Sequence, residues 1–425
     1  MRNQIMEKPK ILLLSLKSSA NYTNYDENLF EFKSRQRLWN TPHLGLLTVG
    51  ALLKEKYESE YVDLNYEELT RQKYEYIFMS PSTSQALQAY VLADRFHKDG
   101  IKVAMGGPHV SMLPLEAKEH ADVVFVGESE ETIKSFLEYP EEKIYYAVQN
   151  PEISKEMKIP LYELAVKYPY SSIPVQLSRG CPHQCEFCLS STIYGRRLRK
   201  KSIIQVENEL SYISRLYEKP YLFFTDDNFL FDSDYALQVM EVLKKFRFNW
   251  YAFTDISVYK KENILSVLYE SGCRKLLIGF ESLDKDNLNS INKSGFKSSK
   301  RDEYMKAIEV LQRRNIGIVG GFVMGLEHDT LESFDELYEF IYESCVYGTN
   351  ITIATPFPGT RFYNRLKLAH MITSYDWSEY DGFTLLYKLP HIEKTEFMNK
   401  YSELINKVNS KERLSRIVEF YKGII

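Results

Sequence analysis

The chain has 425 residues, which is enough for two or three domains with substantial cores. Hydrophobic residues make up 44% and charged residues 26% of the sequence, a composition typical of globular proteins and not of disordered or fibrous ones. The formal net charge of -4, from 54 basic and 58 acidic side chains, excludes the broad basic field of a nucleic-acid-binding or membrane-surface protein. Because no apolar run reaches about 18 residues and no signal-peptide core is present, we predict no transmembrane segment and a cytoplasmic location.

Short apolar runs alternate with helical periodicity in the first third of the chain. Ile11–Ser15, Tyr76–Ser80, Val103–Met105 and Val123–Val126 have the pattern of buried strands, and Leu44–Lys54 repeats apolar residues at helical spacing. This alternation predicts an α/β fold, a Rossmann-like, doubly wound parallel sheet with helices on both faces.

The loops that follow these strands carry small and polar residues. In a parallel sheet the ligand crevice lies at the carboxyl ends of the strands, where small residues let backbone N–H groups approach a phosphate or an amide-rich ligand. Glycines after parallel strands are more often purely structural, so these loops alone leave both interpretations open. The candidate binding residues are Ser82, Thr83, Gly106, Gly107, Gly127 and Glu128.

A second series of strands and helices predicts a partial (β/α)6 barrel, in which chemistry gathers at the carboxyl ends of the strands. Its predicted strands are Pro174–Ser178, Tyr221–Thr225, Trp250–Thr254, Lys275–Gly279, Ile316–Phe322 and Ile351–Thr355. A proline-containing connector precedes the barrel, and a mostly helical extension follows it. The predicted parts are residues 1–140 for the Rossmann-like domain, 141–172 for the connector, 173–368 for the barrel and 369–425 for the extension.

Three of the five cysteines, Cys181, Cys185 and Cys188, fall in the loop after the first strand of the barrel. An odd and uneven set argues against a disulfide framework. Structural zinc would need a fourth ligand, and a ferredoxin-type cluster a fourth cysteine, at spacings that the sequence lacks. Three thiolates can instead hold three irons of a [4Fe-4S] cube and leave the fourth iron open. Cys273 and Cys345 lie beside apolar segments and are predicted to be buried.

One dense basic run follows the cysteine loop closely. It contains Arg196, Arg197, Arg199, Lys200 and Lys201. Charge runs are usually exposed faces, so the run favours a solvated surface over a binding site.

The spacing C-x3-C-x-Phe-C, after a strand and ahead of six βα units, resembles that of the radical S-adenosylmethionine (radical SAM) enzymes. The resemblance implies that Cys181, Cys185 and Cys188 hold a [4Fe-4S] cluster whose electron splits S-adenosylmethionine to a 5′-deoxyadenosyl radical. It also implies a low-potential electron donor such as flavodoxin or ferredoxin. Around S-adenosylmethionine it places the backbone of Phe187 and the residues Asp226, Asp227, Asn228, Glu281, Gly320 and Gly321. For Asp226 and Asp227, a turn or a helix N-cap is an equal alternative.

Further motifs resemble the cobalamin-binding-domain branch of that family. They are Pro42-His-Leu-Gly-Leu-Leu47, the Ser-Pro-Ser-Thr-Ser loop, Gly106-Gly-Pro-His109 with Pro114-Leu-Glu116, Thr355-Pro-Phe-Pro-Gly-Thr360 and Tyr375-Asp-Trp377. The resemblance implies a cobalamin in the crevice formed by the candidate loops of the first domain. The Asp-x-His-x-x-Gly signature that places a histidine under cobalt is absent. We therefore expect no histidine ligand from that motif, and a corrinoid fold without corrinoid stays an alternative.

These features predict a cobalamin-dependent radical SAM methyltransferase acting on an unactivated carbon of a small molecule or lipid. In the implied mechanism, one molecule of S-adenosylmethionine methylates the cobalamin while another supplies the radical that removes hydrogen from the substrate. A radical cyclase or rearrangement enzyme, with cobalamin as a redox partner or absent, is the alternative. A noncatalytic iron-sulfur or corrinoid-binding protein is a remote one. Substrate contacts are expected from residues 17–41 and from those after 366.

Overall fold

The computed structural model describes residues 8–18, 40–70, 72–148, 155 and 157–422. It divides into two compact units. The N-terminal unit holds the described residues before 19, residues 42–169 and the short segment 376–379. The C-terminal unit holds residues 40–41, 170–375 and 380–422. Among the described residues, no helix is both long and apolar enough to span a membrane.

The N-terminal unit is built on six parallel strands in the order β2-β1-β3-β4-β5-β6. β1 is buried along all but its first residue, as expected for a strand covered by helices on both faces. β2 lies on one side of β1, and β3, the next strand along the chain, lies on the other side. The topological switch point is therefore between β1 and β3. The strands are β1 (Lys10–Ser15), β2 (Glu58–Asp63), β3 (Tyr76–Met79), β4 (Lys102–Met105), β5 (Val123–Val126) and β6 (Ile144–Tyr146).

The helices of this unit connect the strands as the periodicity predicts. The first helix begins after His43, whose Nδ1 accepts the backbone N–H of Leu46 at 3.3 Å and so caps its N-terminus. The helices are α1 (Leu44–Leu53), α2 (Ala86–Lys98), α3 (Gly107–Met112), α4 (Pro114–Lys118) and α5 (Ser129–Glu138), with 3-10 turns at Thr83–Gln85 and Tyr162–Ala165.

Two strands of the N-terminal sheet have no counterpart in the sequence prediction. β2 and β6 form the two edges of the sheet. An edge strand needs less apolar surface than a central one, and the first half of β2 (ESE) is polar or exposed. β6 lies beyond residue 140, inside the predicted connector. The predicted domain limits stay predictions, whereas the doubly wound class of the sheet is confirmed.

The C-terminal unit is built on six parallel strands in the sequential order β7-β10-β11-β12-β13-β14. A short antiparallel ribbon of β8 and β9 stands beside it. Sequential parallel strands joined by helices are the topology of the predicted partial (β/α)6 barrel, which is confirmed. The strands are β7 (Ile173–Val175), β8 (Ser178–Arg179), β9 (Arg199–Lys200), β10 (Tyr221–Phe224), β11 (Asn249–Thr254), β12 (Cys273–Glu281), β13 (Gly317–Met324) and β14 (Gly348–Ile353).

Helices follow the barrel strands, and two more form the end of the described chain, as predicted for the extension. They are α6 (Ser190–Ile193), α7 (Ile203–Leu216), α8 (Ser233–Phe246), α9 (Glu262–Leu268), α10 (Lys285–Ile291), α11 (Tyr304–Gln312), α12 (Glu332–Ser344), α13 (Arg361–Leu368), α14 (Lys394–Val408) and α15 (Lys411–Phe420). Shorter 3-10 segments occur at Ile256–Lys260, Ser298–Glu303 and Trp377–Glu379.

A layer of apolar side chains fills the concave face of the C-terminal sheet. Phe223, Tyr251, Leu277 and Val319, from four consecutive strands, form one buried cluster. The rings of Phe223 and Tyr251 stack with centroids 4.6 Å apart and planes 7° from parallel. Because side chains alternate along a strand, positions two residues further along β12 and β13 lie above this layer, toward the carboxyl ends.

Candidate active site

The β8–β9 ribbon closes the base of the cysteine loop in the C-terminal unit. Gly180 leaves β8 with φ of +100°, a region that favours glycine, and a Cβ there would collide with the carbonyl group of Arg197. The N–H of Cys181 then donates to the carbonyl oxygen of Gly195 at 3.3 Å. The ribbon therefore fixes the position at which the loop begins.

Glu186 anchors the middle of the loop to two helices. Its N–H donates to the carbonyl oxygen of Ile291 at the end of α10, at 2.9 Å, and its carbonyl oxygen accepts the N–H of Phe362 in α13, at 3.1 Å. Its carboxylate also receives two hydrogen bonds from Arg365, each 3.0 Å long. A bidentate Arg–carboxylate contact is geometrically specific, so the loop is held in one conformation.

The three cysteine thiols lie close enough to influence one another. Burial raises the pKa of Cys181 to about 12, and repulsion from negative charge on Cys188 and Cys185 adds to the shift. Burial is also the main reason why the pKa values of Cys185 and Cys188 are raised. An iron ion that replaced each proton would remove this penalty, because the metal stabilises the thiolate form.

The donor set suits a cluster better than a single ion. Within the described ranges, no three His, Cys, Asp or Glu side chains converge on one metal ion, and this includes the cysteine loop. In a cube each cysteine holds a different iron, so the three sulfurs need not converge on one point. All five cysteines are free thiols, and those of the loop are partly exposed. The loop therefore fits three ligands of a [4Fe-4S] cluster.

Glu281 ends β12 in a strained conformation. Its φ of +65° is uncommon for a residue with a side chain, and the register between β12 and β13 shifts just before it. Its carboxylate pairs with Nζ of Lys297 at 2.7 Å, and both side chains are largely buried. Burial alone would lower the pKa of Lys297, but attraction to Glu281 and Cys185 raises it. Strained backbone of this kind clusters at functional sites.

Two glycines leave space inside the barrel near this carboxylate. Gly279 and Gly321 are paired on adjacent strands. They lie two residues beyond Leu277 and Val319, on the same face as the apolar layer. A Cβ at Gly321 would meet nothing closer than 3.5 Å. A Cβ at Gly279 would instead collide with the carboxylate of Glu281, so that glycine makes room for this side chain. A side chain at Gly321 would fill open space, so the arrangement fits a cofactor bound there, above the apolar layer.

Gly320 faces the opposite side of β13. A Cβ there would lie 2.7 Å from the ring of Phe322 and 3.4 Å from that of Phe280. Its missing side chain therefore serves packing against the outer helices. The predicted contact of Gly320 with S-adenosylmethionine stays a prediction, and the backbone of Gly320 would have to make it. Phe187 lies in the tight turn between the second and third cysteines, and its predicted adenine contact stays a prediction.

Asp226 is completely buried at the end of β10. Its carboxylate accepts the N–H of Leu177 at 3.1 Å and the hydroxyl of Ser178. Burial raises its pKa to about 6, although both hydrogen bonds lower it. The side chain connects the end of β10 to the backbone that leads into the cysteine loop. This role of Asp226 differs from both alternatives considered for it, a turn and a helix N-cap. Its predicted cofactor contact stays a prediction, and the protein itself covers its whole surface.

The two residues after Asp226 lie nearer the thiols. Asp227 bonds to the Ser190 side chain, and its charge helps to raise the pKa of two of the loop cysteines. Asn228 donates through Nδ2 to Oδ2 of Asp255 at 2.6 Å and accepts the hydroxyl of Thr254 at 3.2 Å. Direct contact of either residue with S-adenosylmethionine stays a prediction.

The sequence analysis missed several polar groups around the loop. Nδ2 of Asn292 lies 3.9 Å from Sγ of Cys185, and Nε2 of His183 lies 3.5 Å from a carboxylate oxygen of Asp255. The ring of His183 also contacts that of Phe296, with centroids 4.6 Å apart and planes tilted by 31°. Asn292, Phe296 and Lys297 share the polar segment after α10. One sequence feature could have indicated these residues: their segment follows β12, the strand that ends at the candidate carboxylate Glu281.

The N-terminal unit gathers the predicted cobalamin residues at one edge of its sheet. The N–H and hydroxyl of Ser82 both donate to Oε1 of Gln85 at 3.0 Å, and Thr83 is buried. Nε2 of Gln85 donates to the carbonyl oxygen of Lys17 at 2.9 Å. The loop after β3 is thereby joined to the loop after β1, at the topological switch point where ligands of such sheets bind.

The glycine loops of this edge are shaped by the protein itself. Gly106 is extended, whereas Gly107 and Gly127 both have φ of +90°. A Cβ at Gly107 would collide with Ser80, and one at Gly127 would lie 2.9 Å from the Cβ of Ala147. Glu128 occupies the N-cap position of α5. These packing needs explain Gly107 and Gly127 without a ligand, and the role of all these loop residues in cobalamin binding stays a prediction.

Each of the four histidines of the N-terminal unit has one ring nitrogen close to an oxygen. Each ring nitrogen named here lies 2.9 to 3.5 Å from an oxygen: His43 from Ser80, His97 from Asp122, His109 from Glu116 and His120 from Asp94. Nε1 of Trp377 donates to the same Glu116 carboxylate at 2.8 Å, so three of the sequence motifs meet in one buried network. An imidazole has a second ring nitrogen, so these contacts by themselves do not decide whether a ring could coordinate cobalt. Among the described residues, Nδ1 of His109 is buried without a hydrogen-bond partner.

The comparisons with known proteins agree with this site. Residues 175–341 match the model of the Radical SAM superfamily. This part of the chain is a radical SAM domain. The predicted family is thereby confirmed, and with it a [4Fe-4S] cluster and S-adenosylmethionine as cofactors. The matched span begins in β7 and contains all three loop cysteines.

Two similar sequences come from Chlorobaculum tepidum. Bacteriochlorophyllide d C-12(1)-methyltransferase is 28% identical over 378 residues, covering 86% of this radical SAM protein and 82% of the relative. Bacteriochlorophyllide d C-8(2)-methyltransferase is 26% identical over 382 residues, covering 84% and 83%. The similarity therefore extends over both units.

Two solved structures share the fold over nearly the whole radical SAM protein. The cobalamin-dependent radical enzyme OxsB, with aqua-cobalamin and S-adenosylmethionine bound, superposes with a TM-score of 0.71 at 14% identity, covering 98% of this chain and 71% of that one. The methyltransferase TsrM from Kitasatospora setae, with cobalamin and a [4Fe-4S] cluster bound, gives a TM-score of 0.65 at 13% identity, covering 98% and 89%. The predicted two-part α/β architecture is confirmed.

Proposed function

We propose that this chain is a cobalamin- and S-adenosylmethionine-dependent radical methyltransferase acting on an unactivated carbon of a small molecule or lipid. One observation carries the proposal: a three-cysteine loop at the carboxyl end of a partial barrel and a switch-point sheet of the OxsB and TsrM fold occur in one chain. The relatives named as bacteriochlorophyllide methyltransferases support methyl transfer as the reaction. A methylase of hopanoids from Rhodopseudomonas palustris, 26% identical over 342 residues, supports a lipid as an equal candidate substrate.

In the C-terminal unit the protein binds and shields the cofactors. Cys181, Cys185 and Cys188 would each hold one iron and leave the fourth iron for S-adenosylmethionine. When bound, the cluster supplies the electron that breaks the sulfonium bond, and the cobalamin carries the methyl group. Glu281, aimed by the bulge in β12, would accept hydrogen bonds from S-adenosylmethionine. The apolar layer under Gly321 would exclude water from the reaction.

In the N-terminal unit the switch-point loops would hold the corrinoid. Backbone N–H groups near Ser82, Gly106 and Gly127 lie at the edge where amide side chains of a corrin could find donors. The Asp-x-His-x-x-Gly signature that would place a histidine under cobalt is absent from the sequence. We therefore propose that no protein histidine binds the cobalt.

A low-potential carrier such as flavodoxin or ferredoxin is the proposed electron donor, since the cluster must be reduced between turnovers. The second candidate reaction is radical cyclisation. The anaerobic magnesium-protoporphyrin IX monomethyl ester cyclase of Rubrivivax gelatinosus, 21% identical over 226 residues, supports it over 52% of this chain.

Coproduct stoichiometry separates the two reactions. Reconstituted protein, reduced and mixed with S-adenosylmethionine and a bacteriochlorophyllide or a hopanoid, should release 5′-deoxyadenosine and S-adenosylhomocysteine in near-equal amounts, with a product heavier by one methylene. Deoxyadenosine without S-adenosylhomocysteine would favour the cyclase. S-adenosylhomocysteine without deoxyadenosine would mean polar methylation and would refute a radical mechanism.

A further inference from the structure

The outer side of the cysteine loop carries a group of exposed cations. The thiols are partly buried and influence one another, whereas the side chains of the intervening residues reach solvent-exposed arginines. Oε1 of Gln184, with its amide oriented toward Arg196, accepts from Nη1 at 2.8 Å and from Nε at 2.6 Å. The carbonyl oxygen of the same Gln184 accepts a hydrogen bond from Arg361. Two guanidinium groups are therefore brought to one residue between the first two cysteines.

Neither guanidinium is neutralised within the described part of the chain. No ion pair there involves Arg196 or Arg361, and the same holds for Arg197 and Lys293, which are also exposed. Arg365 differs, because Glu186 binds it at 3.0 Å and Glu327 lies 3.7 Å away. Like charges held side by side in water repel one another, and an acidic partner would relieve this repulsion.

These four cations, which have no ion pair among the described residues, come from three separate segments that meet at the cysteine loop. Arg196 and Arg197 precede β9, and the backbone of Arg197 lies against Gly180 at the base of the loop. Lys293 follows Asn292, whose amide approaches Cys185. Arg361 opens α13. We name Arg196, Arg197, Lys293 and Arg361 the basic rim. Spread, exposed charges suit a large acidic surface rather than one small anion, which would need converging and buried donors.

We infer that the basic rim is the docking surface for an acidic one-electron carrier protein of the flavodoxin type. The inference rests on the proposed function, because it assumes a cluster on the three cysteines. Arg196 and Arg361 both bond to Gln184, the residue before Cys185, so a carrier bound at the rim would lie close to the thiols. In the step, the flavin hydroquinone of the carrier loses one electron and becomes a semiquinone, and the cluster gains that electron, passing from the 2+ to the 1+ state.

The basic run that the sequence assigned to a solvated surface is divided between the interior and the surface of the fold. Arg199 and Lys201 are buried, and Lys201 pairs with Glu209 inside the fold. Lys200 pairs with Asp232. Within the described ranges, Arg196 and Arg197 are the two residues of the run that are exposed and take part in no ion pair, and residues distant in sequence complete the rim.

The test uses reconstituted holoenzyme and reduced flavodoxin, with the reduced cluster followed by EPR after rapid freezing. R196E/R361E should slow reduction by flavodoxin by about tenfold or more at low salt, because electrostatic steering contributes 10- to 1,000-fold to association rates. Reduction by photoreduced deazaflavin, a small uncharged donor, should be unchanged. The matched control is R215E/K219E, which makes the same change in net charge at exposed positions before β10, at the amino end of the strands. It should keep the flavodoxin rate within about twofold.

Salt dependence separates docking from a change in cluster potential. For the wild type, the flavodoxin rate should fall between about 10 mM and about 200 mM salt, as screening shortens the reach of the charges. For R196E/R361E this dependence should vanish. A slower rate with an unchanged salt slope would mean an altered potential and would overturn the docking surface, as would an equal effect in the control pair.

A milder pair covers loss of the loop structure. R196Q/R361Q keeps amide donors near Gln184 and should give an intermediate rate with a reduced salt slope. If this pair holds a full cluster and is reduced by flavodoxin as fast as the wild type, the rim is not the docking surface. Deoxyadenosine formed with deazaflavin as donor tests the radical function separately, because that assay needs no carrier.

Discussion

Two neighbouring glycines of β13 should respond in opposite ways to the same substitution. At Gly320, an added methyl group lies 2.7 Å from the ring of Phe322, closer than real Cβ atoms approach. Overpacking of this kind costs about 1 to 3 kcal/mol, or about 2 to 4 °C in Tm per kcal/mol for a unit of this size. At Gly321, the nearest atoms lie 3.5 Å away, so G321A should gain about 0.5 to 1 kcal/mol from reduced chain entropy.

Cofactor binding should show the reverse order. The methyl group of G321A enters the space above Leu277 and Val319, so we expect S-adenosylmethionine to bind about tenfold more weakly, equivalent to about 1.4 kcal/mol. G320A should bind it as the wild type does, provided that it is folded. Thermal unfolding of the apoprotein and equilibrium dialysis against reconstituted protein measure the two effects. Unchanged binding in both G321A and the larger G321V would refute the location of the cofactor above the apolar layer.

Three further predictions concern the cluster, a buried acid and the corrinoid. Alanine at any one of Cys181, Cys185 or Cys188 should abolish or degrade the iron-sulfur absorbance, whereas C345A, far along the chain, should keep it; a full cluster in C185A would contradict the ligand assignment. D226N should bind S-adenosylmethionine normally. Because the pKa of Asp226 is raised to about 6 in the folded protein, ionisation of its carboxyl group above that pH lowers the stability of the wild type. The variant should therefore be more stable than the wild type at pH 8 and lose this advantage below about pH 4. A D226N protein that folds but no longer binds S-adenosylmethionine would support the predicted cofactor contact of Asp226 instead. Protein from cobalamin-fed cells should carry near one corrinoid per chain, without a spectrum of histidine coordination, and turnover by corrinoid-free protein would remove cobalamin from the mechanism.

Hydrophobic pattern was sufficient to predict the strands that carry the site. The β10 and β11 runs, Tyr221–Thr225 and Trp250–Thr254, appear in the structure within one residue at each end, because central parallel strands are buried on both faces and read as continuous apolar runs. The edge strand Glu58–Asp63 escaped prediction because its polar first half looks like a loop. An edge strand has a neighbouring strand on one side and not on the other, so its residue composition differs little from that of a loop.

Residue type alone did not separate the roles of neighbouring site residues. Gly320 and Gly321 look equivalent in sequence, and only the direction of each position in β13 shows that one faces the helices and the other the barrel. Asp226 and Asp227 are likewise adjacent, yet one is sealed against Leu177 and the other lies near the thiols. Such differences depend on tertiary packing, which a single sequence does not contain. Lys297 was missed for the same reason, because its partner Glu281 lies on another element.

The conformation of Glu281 leads to a final prediction. Its positive φ costs about 1 to 3 kcal/mol for a residue with a side chain, whereas glycine would adopt it freely. Its buried pair with Lys297 is weak compensation, since replacing such pairs with apolar groups is often neutral or stabilising. We therefore predict that this carboxylate binds a ligand. E281G/K297M, which removes the strain and both charges together, should be at least as stable as the wild type in thermal unfolding yet fail to form deoxyadenosine. The single variant E281G should be less stable than this pair, because it leaves Lys297 buried without its partner. Wild-type deoxyadenosine formation by the folded double variant would show that neither residue contacts the cofactor.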